Sequence, residues 1–204
     1  MIEFKHILPL IIGDVKMNKN VLAILGSPRP KGVVATMLAH AVHCAEATGH
    51  TVQTVNLYEQ NLGWCTGCQA CYSSQICVQQ DDIQLLVPQL RQANIVILAA
   101  PVYWANVPAP VKNLFDRLLG TAMQPTATFP EPRLKGKKYL LLTACQTPAP
   151  WCWVFNQSRS AFHNMEEFFK TAGMRPMGKV VCANTDKIHT PPPAVLRKIE
   201  RCWR

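Results

Sequence analysis

The sequence predicts an α/β protein: a doubly wound, five-stranded parallel sheet in a three-layer sandwich with strand order 2-1-3-4-5. Two observations carry this expectation. From residue 20 onward, short runs of branched apolar residues alternate with longer segments of helical period, the pattern of successive βα units. The most hydrophobic run, "NIVILAA" at 94–100, lies mid-chain and is apolar at every position after its first, as a strand covered on both faces must be.

The elements follow in order. "NVLAIL" (20–25) reads as a buried first strand. Val34, Met37, Leu38, Ala41, Val42 and Ala45 then recur on one helical face, and Gly49 closes that helix. "TVQTVN" (51–56) is a second strand, followed by a long connection. "DDIQLLVPQLRQA" starts a helix capped by Asp81 or Asp82, which Pro88 is expected to kink or restart. After the central strand come a helix in "PAPVKNLFDRLLG", a strand in "KKYLLLTA" (137–144), a helix near 158–172, a strand in "GKVVCA" (178–183) and a helix near 192–202. Right-handed crossovers between these strands give the doubly wound order.

With 204 residues, 49% of them hydrophobic, the chain suits one sizeable core. The expected division is a single domain over 17–204 preceded by an extension at 1–16 outside the fold, with Met17 as a second possible start. The apolar run Ile7 to Ile12 is broken by Pro9 and falls short of the ~20 residues that span a membrane, and no cleavage signature follows it. The 21 Lys and Arg against 12 Asp and Glu leave a charge of +9, which suits anionic ligands such as phosphorylated cofactors. No nucleic-acid motif accompanies it. Nine cysteines, an odd number without a secretory signal, point to a reducing cytoplasm where thiols stay free, bind metal or do redox work.

In a sheet of this order ligands bind at the carboxyl ends of the strands, between the first and third. The loop "GSPRPKG" (26–32) there has a glycine for a tight turn, the Ser27 hydroxyl, the Arg29 cation and a helix start with free NH groups, which together make a phosphate cradle. It is neither a G-x-G-x-x-G nor a Walker sequence. After the third strand, "APVYWANVPAP" offers Tyr103 and Trp104 to pack a planar ring and the NH groups of Trp104 to Asn106 to meet carbonyl oxygens on its edge. After the fourth, "TACQTPAPWCWVF" carries Trp151, Trp153 and Phe155, which either cover that ring, form a subunit contact or are buried.

"GSPR" after strand one, "PVYW" after strand three with "VKNLFDR" on the next helix, and C-x2-C-x2-C running into "DD" resemble the NAD(P)H-dependent FMN reductases and oxidoreductases of the flavodoxin-like superfamily, close to the iron-sulfur flavoproteins. The resemblance covers about residues 20–185. It implies a flavodoxin-like fold with Ser27, Arg29 and the backbone at Val33 and Val34 on the FMN phosphate. Pro101, Val102, Tyr103, Trp104, Ala105 and Asn106 would meet the isoalloxazine ring, and Ala144, Cys145 and Gln146 would form its third wall. Where the family carries Asn followed by Ser or Thr after "GSPRxxG", this chain has Val33 and Val34. That removes side-chain donors at about 1.5–3 kcal/mol for each charge-assisted hydrogen bond, leaving the backbone NH groups and the Thr36 hydroxyl.

The remaining motif is C-x2-C-x2-C-x5-C, from Cys65 through Cys68 and Cys71 to Cys77. Its compact spacing resembles the runs that wrap a [4Fe–4S] cluster more than the paired cysteines of structural zinc. Similar runs also occur in flavin-only members of the wider family, so thiols without metal are preferred to the cluster. Cys44, Cys182 and Cys202 read as core or surface residues. His40, His43 and His163 lie in helices without ligand-spaced partners. Asp116 and Arg117 read as structural or interface residues, and no catalytic side chain is assigned.

The expected activity is hydride transfer from NADPH or NADH to flavin and onward to a small acceptor such as a quinone, a nitroaromatic, a metal oxyanion or free flavin. The basic charge tilts the donor toward NADPH. The resemblance implies a homodimer, with no nucleic-acid or membrane partner. Two alternatives remain: an iron-sulfur electron carrier, and a flavin-less binding module, for which the Val34→Thr variant is the discriminating test.

Overall fold

The computed structural model describes residues 18–204, so the expected extension over 1–16 lies outside the described residues. A parallel sheet forms from β1 (Asn20–Leu25), β2 (Thr51–Asn56), β3 (Ile95–Pro101), β6 (Lys138–Ala144) and β7 (Arg175–Cys182) in the order β2-β1-β3-β6-β7. Counted along the chain this is the predicted 2-1-3-4-5. Two short strands, β4 (Met123–Gln124) and β5 (Glu131–Pro132), pair antiparallel outside it.

Alternation along the strands divides the core into two layers. Leu22, Ile24, Val96, Leu98, Tyr139 and Leu141 point to one face, where they meet α3 (Ile83–Gln92), α4 (Ala109–Arg117) and α7 (Gln157–Thr171). Val21, Ala23, Leu25, Ile97, Leu140 and Leu142 point to the other, beneath α1 (Val33–Ala47) and α8 (Pro193–Arg201). His40 on α1 and Glu200 on α8 meet at 3.1 Å, so the two helices run side by side over that face. This histidine therefore has a carboxylate partner that linear spacing did not reveal.

Several predicted boundaries move for identifiable reasons. Pro88 does not restart its helix: α3 runs unbroken, with Pro88 on the exposed side where the carbonyl it leaves unbonded can meet water. At the helix start, the Ile83 NH donates to Asp81 Oδ1 at 3.1 Å, while the Asn61 NH donates to Asp82 Oδ2. Strand β7 begins at Arg175 rather than 178, because an irregularity opposite Tyr139 and Leu140 lets Arg175 and Pro176 join the ladder. Proline is tolerated there because the strand is at the sheet edge. Helix α1 closes at Gly49 as expected: its φ of +83° lets the Gly49 and His50 NH groups turn back onto Glu46 and Ala45. The short helices α2 (Cys71–Ser74), α5 (Leu119–Ala122) and α6 (Trp151–Val154) had no sequence signal beyond one turn. No helix among the described residues is long and apolar enough to cross a membrane.

Candidate functional site

The carboxyl ends of β1 and β3 are tied where Gly26 NH donates to the Ala99 carbonyl at 2.8 Å. A Cβ at Gly26 would sit 2.3 Å from Val111 Cγ2 on α4, so only glycine lets the first loop pass beneath that helix. Beyond it the buried Ser27 hydroxyl accepts the Arg29 NH at 3.3 Å, and Gly32 NH closes onto the Arg29 carbonyl. Helix α1 then begins with no capping side chain and no acidic residue in its first turn. The NH groups of Val33, Val34 and Ala35 therefore remain unpaired at the positive end of the helix dipole. Thr36 does not replace the missing donors, since its hydroxyl donates to the Gly32 carbonyl at 3.1 Å.

The second loop is a tight turn. Tyr103 and Asn106 exchange backbone hydrogen bonds of 2.8 and 2.9 Å, and Trp104 and Ala105 between them have φ of 52° and 57°. Two consecutive left-handed residues give a primed turn. The Asn106 NH is consumed inside it, while the NH groups of Trp104 and Ala105 make no backbone hydrogen bond among the described residues. Trp104 is 100% exposed at the tip. The loop is braced by Val102 NH on the Ala144 carbonyl at 2.9 Å and by Asn164 on the Asn106 side chain at 2.8 Å.

These loops border a cavity of about 600 Å³. Ser27 to Val34 form one side, Pro101 to Tyr103 and then Ala144 and Gln146 another. Thr185, Ile188 and His189 complete it. Those three come from the loop after β7, which sequence reasoning passed over because an edge strand is remote from the switch point. Arg29, Lys31 and His189 line the cavity, and among the described residues no carboxylate does. Of the residues expected at the site, Trp104, Ala105, Asn106 and Cys145 stand outside this lining. Cys145 is buried and its thiol donates to Gln157 at 3.2 Å; burial pushes that thiol up from its ordinary range. Trp151, Trp153 and Phe155 lie apart from the cavity and exposed, with Trp151 stacked on Phe155 and the Arg159 guanidinium over Trp153.

The four-cysteine run builds a second site. Cys65, Cys68, Cys71 and Cys77 all border one cavity of about 150 Å³ whose remaining wall includes Arg117 and Leu119. Arg117, with its side chain fully buried, organises the loop. It pairs with both oxygens of Asp81 at 2.9 Å, donates to Cys77 Sγ at 3.1 Å and reaches the Gly63 carbonyl. Asp81 also accepts the Gly63 NH at 2.9 Å. Burial alone would raise the Asp81 carboxyl, but the Arg117 hydrogen bonds and the Gly63 and Ile83 NH groups outweigh it and hold it below its ordinary range. Arg117 thus has the structural role expected, with Asp81 as partner, while Asp116 pairs with Lys112. Backbone NH donation at Ala70 lowers the exposed Cys68 thiol. Among the described residues no three of these side chains converge on one metal ion.

Comparison with known proteins fits this architecture. The chain is 39% identical over 116 residues to an iron-sulfur flavoprotein of Archaeoglobus fulgidus, covering 57% of this chain and 50% of that protein. A second iron-sulfur flavoprotein, from Methanosarcina thermophila, is 35% identical over 97 residues, 48% of this chain and 51% of the relative. The chain thus spans about half the length of these curated relatives. An FMN-dependent NADH:quinone oxidoreductase of Pectobacterium atrosepticum is 34% identical over 71 residues, 32% of this chain and 35% of that one. Among solved structures, an NAD(P)H:quinone oxidoreductase from Methanothermobacter marburgensis superposes with a TM-score of 0.74 at 16% identity, covering 92% of this chain and 98% of that chain. The model of the flavodoxin-like fold matches residues 19–203. With that match over nearly all the described residues and the 2-1-3-4-5 sheet, the chain belongs to the flavodoxin-like fold family.

Proposed function

We propose that this chain is an FMN-dependent oxidoreductase that takes reducing equivalents from NADPH or NADH and delivers them to a small acceptor, of which quinones are the first to test. The observation that carries the reading is the cavity at the switch point. Unpaired helix NH groups and the Arg29 and Lys31 cations lie on one side, the Tyr103 turn lies on the other, and among the described residues no carboxylate lines the cavity to oppose an anion. The donor set fits a phosphorylated, ring-bearing ligand. Ser27, Arg29 and the NH groups of Val33 and Val34 would hold its phosphate, and the NH groups of Trp104 and Ala105 are free for ring carbonyls. Pro101, Val102, Ala144 and Gln146 would confine the ring. When bound, FMN supplies the hydride-accepting and electron-donating chemistry, so the residues need only hold, orient and shield it. The quinone reductase named among the relatives supports the same acceptor class. The reading includes a cytoplasmic homodimer.

Titration with FMN, followed by flavin fluorescence, tests it. Quenching with saturation, and NAD(P)H oxidation by the loaded protein with a quinone, are expected. Unquenched flavin at high protein concentration would overturn the reading. A second reading, one-electron transfer through a [4Fe–4S] cluster, is favoured by one observation: all four cysteines border a single cavity. A cluster spaces its ligating sulfurs more widely than one ion does. Equimolar protein-bound clusters in iron and sulfide assays on anaerobically prepared protein would favour it over free thiols, and iron-free protein would end it.

A further inference from the structure

At positions 33 and 34 the first loop offers no side-chain donor. Val33 and Val34 contribute only backbone and Thr36 is bonded within its helix, so Ser27, whose hydroxyl accepts the Arg29 NH and keeps its own O–H to donate, is the one hydroxyl the loop offers. The same cavity is also lined by Thr185 and His189. Neither side chain has a hydrogen bond, ion pair or ring contact among the described residues.

The loop that presents them is held in place. Asn184 adopts a left-handed conformation, φ 65°, and its NH donates to the Thr147 carbonyl at 3.2 Å. The Thr185 NH donates to the Cys145 carbonyl at 3.1 Å, fixing this loop to the one after β6. Ile188 packs into the layer under α1 and α8, and buried Pro191 precedes the start of α8. Because α8 lies beside α1, a loop from the far edge of the sheet is carried back to the α1 N-terminus. Two uncommitted polar groups therefore line a site with unpaired NH groups and cations but, among the described residues, no acid.

We propose that Thr185 and His189 complete the phosphate cradle, supplying from the loop after β7 the side-chain donors that Val33 and Val34 do not. The assignment rests on the FMN reading above and adds two specific ligand contacts to it. A hydroxyl and an imidazole NH both donate to phosphate oxygens, and one charge-assisted bond amounts to roughly a ten-fold change in affinity or more.

The test compares FMN with riboflavin, which has the same ring without the phosphate. Dissociation constants are measured by fluorescence for the wild type, Thr185→Val, Thr185→Ser and His189→Ala, with melting curves confirming that each variant folds. His189→Ala and Thr185→Val are each expected to weaken FMN about ten-fold while leaving riboflavin unchanged, and Thr185→Ser is expected to restore wild-type affinity. Wild-type FMN affinity in both His189→Ala and Thr185→Val, or equal weakening of riboflavin, overturns the assignment and leaves the FMN reading standing. Failure of the wild-type protein to bind FMN overturns both.

Discussion

Removing the Asp81 carboxylate isolates the Arg117 guanidinium inside the protein. Asp81→Ala deletes two Arg117 hydrogen bonds of 2.9 Å and the acceptors of the Gly63 and Ile83 NH groups, around an arginine side chain with no solvent exposure. Breaking a buried ion pair from one side typically destabilises by about 3–5 kcal/mol, because the remaining charge is left desolvated. For a domain of this size each kcal/mol lowers the melting temperature by about 2–4 °C, so the expected drop is roughly 6–20 °C. Urea denaturation gives the same quantity as a shift in midpoint. The companion variant Asp81→Ala/Arg117→Met removes both charges. It should be more stable than Asp81→Ala alone, since no uncompensated charge remains. A loss under about 1 kcal/mol in the single variant, or a double variant less stable than the single, would refute the reasoning.

The same pair predicts an acid limit. Asp81 titrates below its unfolded value, so its contribution is complete above about pH 4 and disappears as pH falls through the folded value; Asp81→Asn should flatten this part of the stability profile. Gly26→Ala, whose Cβ would meet Val111 Cγ2 at 2.3 Å, should displace the first loop and weaken FMN binding, and adding Val111→Ala should recover much of the loss in a binding titration. Gly120→Ala places a Cβ 2.0 Å from the Cys71 carbonyl oxygen. It should separate α5 from α2, lower stability by about 1–3 kcal/mol and speed thiol labelling of the cysteine loop. Cys68, exposed and lowered by the Ala70 NH, should give the fastest alkylation phase near neutral pH, and Cys68→Ser should abolish that phase.

Residues whose role depends on their neighbours in the chain were legible in the sequence. The three inner strands β1, β3 and β6 appear as apolar runs because a parallel sheet covered on both faces selects against polar residues at successive positions, whereas the edge strand β2, TVQTVN, shows only its branched residues. Their order then pointed to the loops after β1, β3 and β6. Ser27, Arg29 and Tyr103 came from that reasoning, and all three line the cavity. Contacts made by distant segments were not legible. Thr185 and His189 reach the cavity from a loop tied to Thr147 and Cys145, and His40 finds Glu200 160 residues away where α8 packs beside α1. Arg117 and Asp81 stand 36 positions apart, with nothing in either segment to announce the pairing. The NH groups of Trp104 to Asn106 were expected together, but that the Asn106 NH is spent inside the turn required the backbone angles, which residue type does not encode when neither Trp104 nor Ala105 is glycine.

The Arg117 anchor also sets an order of events. The residues it fixes, Gly63, Cys77 and Asp81, precede it by 54, 40 and 36 positions. On a chain made from its amino end at about 5–20 residues per second, the four cysteines emerge seconds before the arginine that will hold their loop exists. During that interval their thiols are accessible to metal, oxidant or alkylating agent. Docking of α4 then closes the period in which the loop is most receptive, so its chemical state depends on the redox conditions at synthesis as well as on the finished fold.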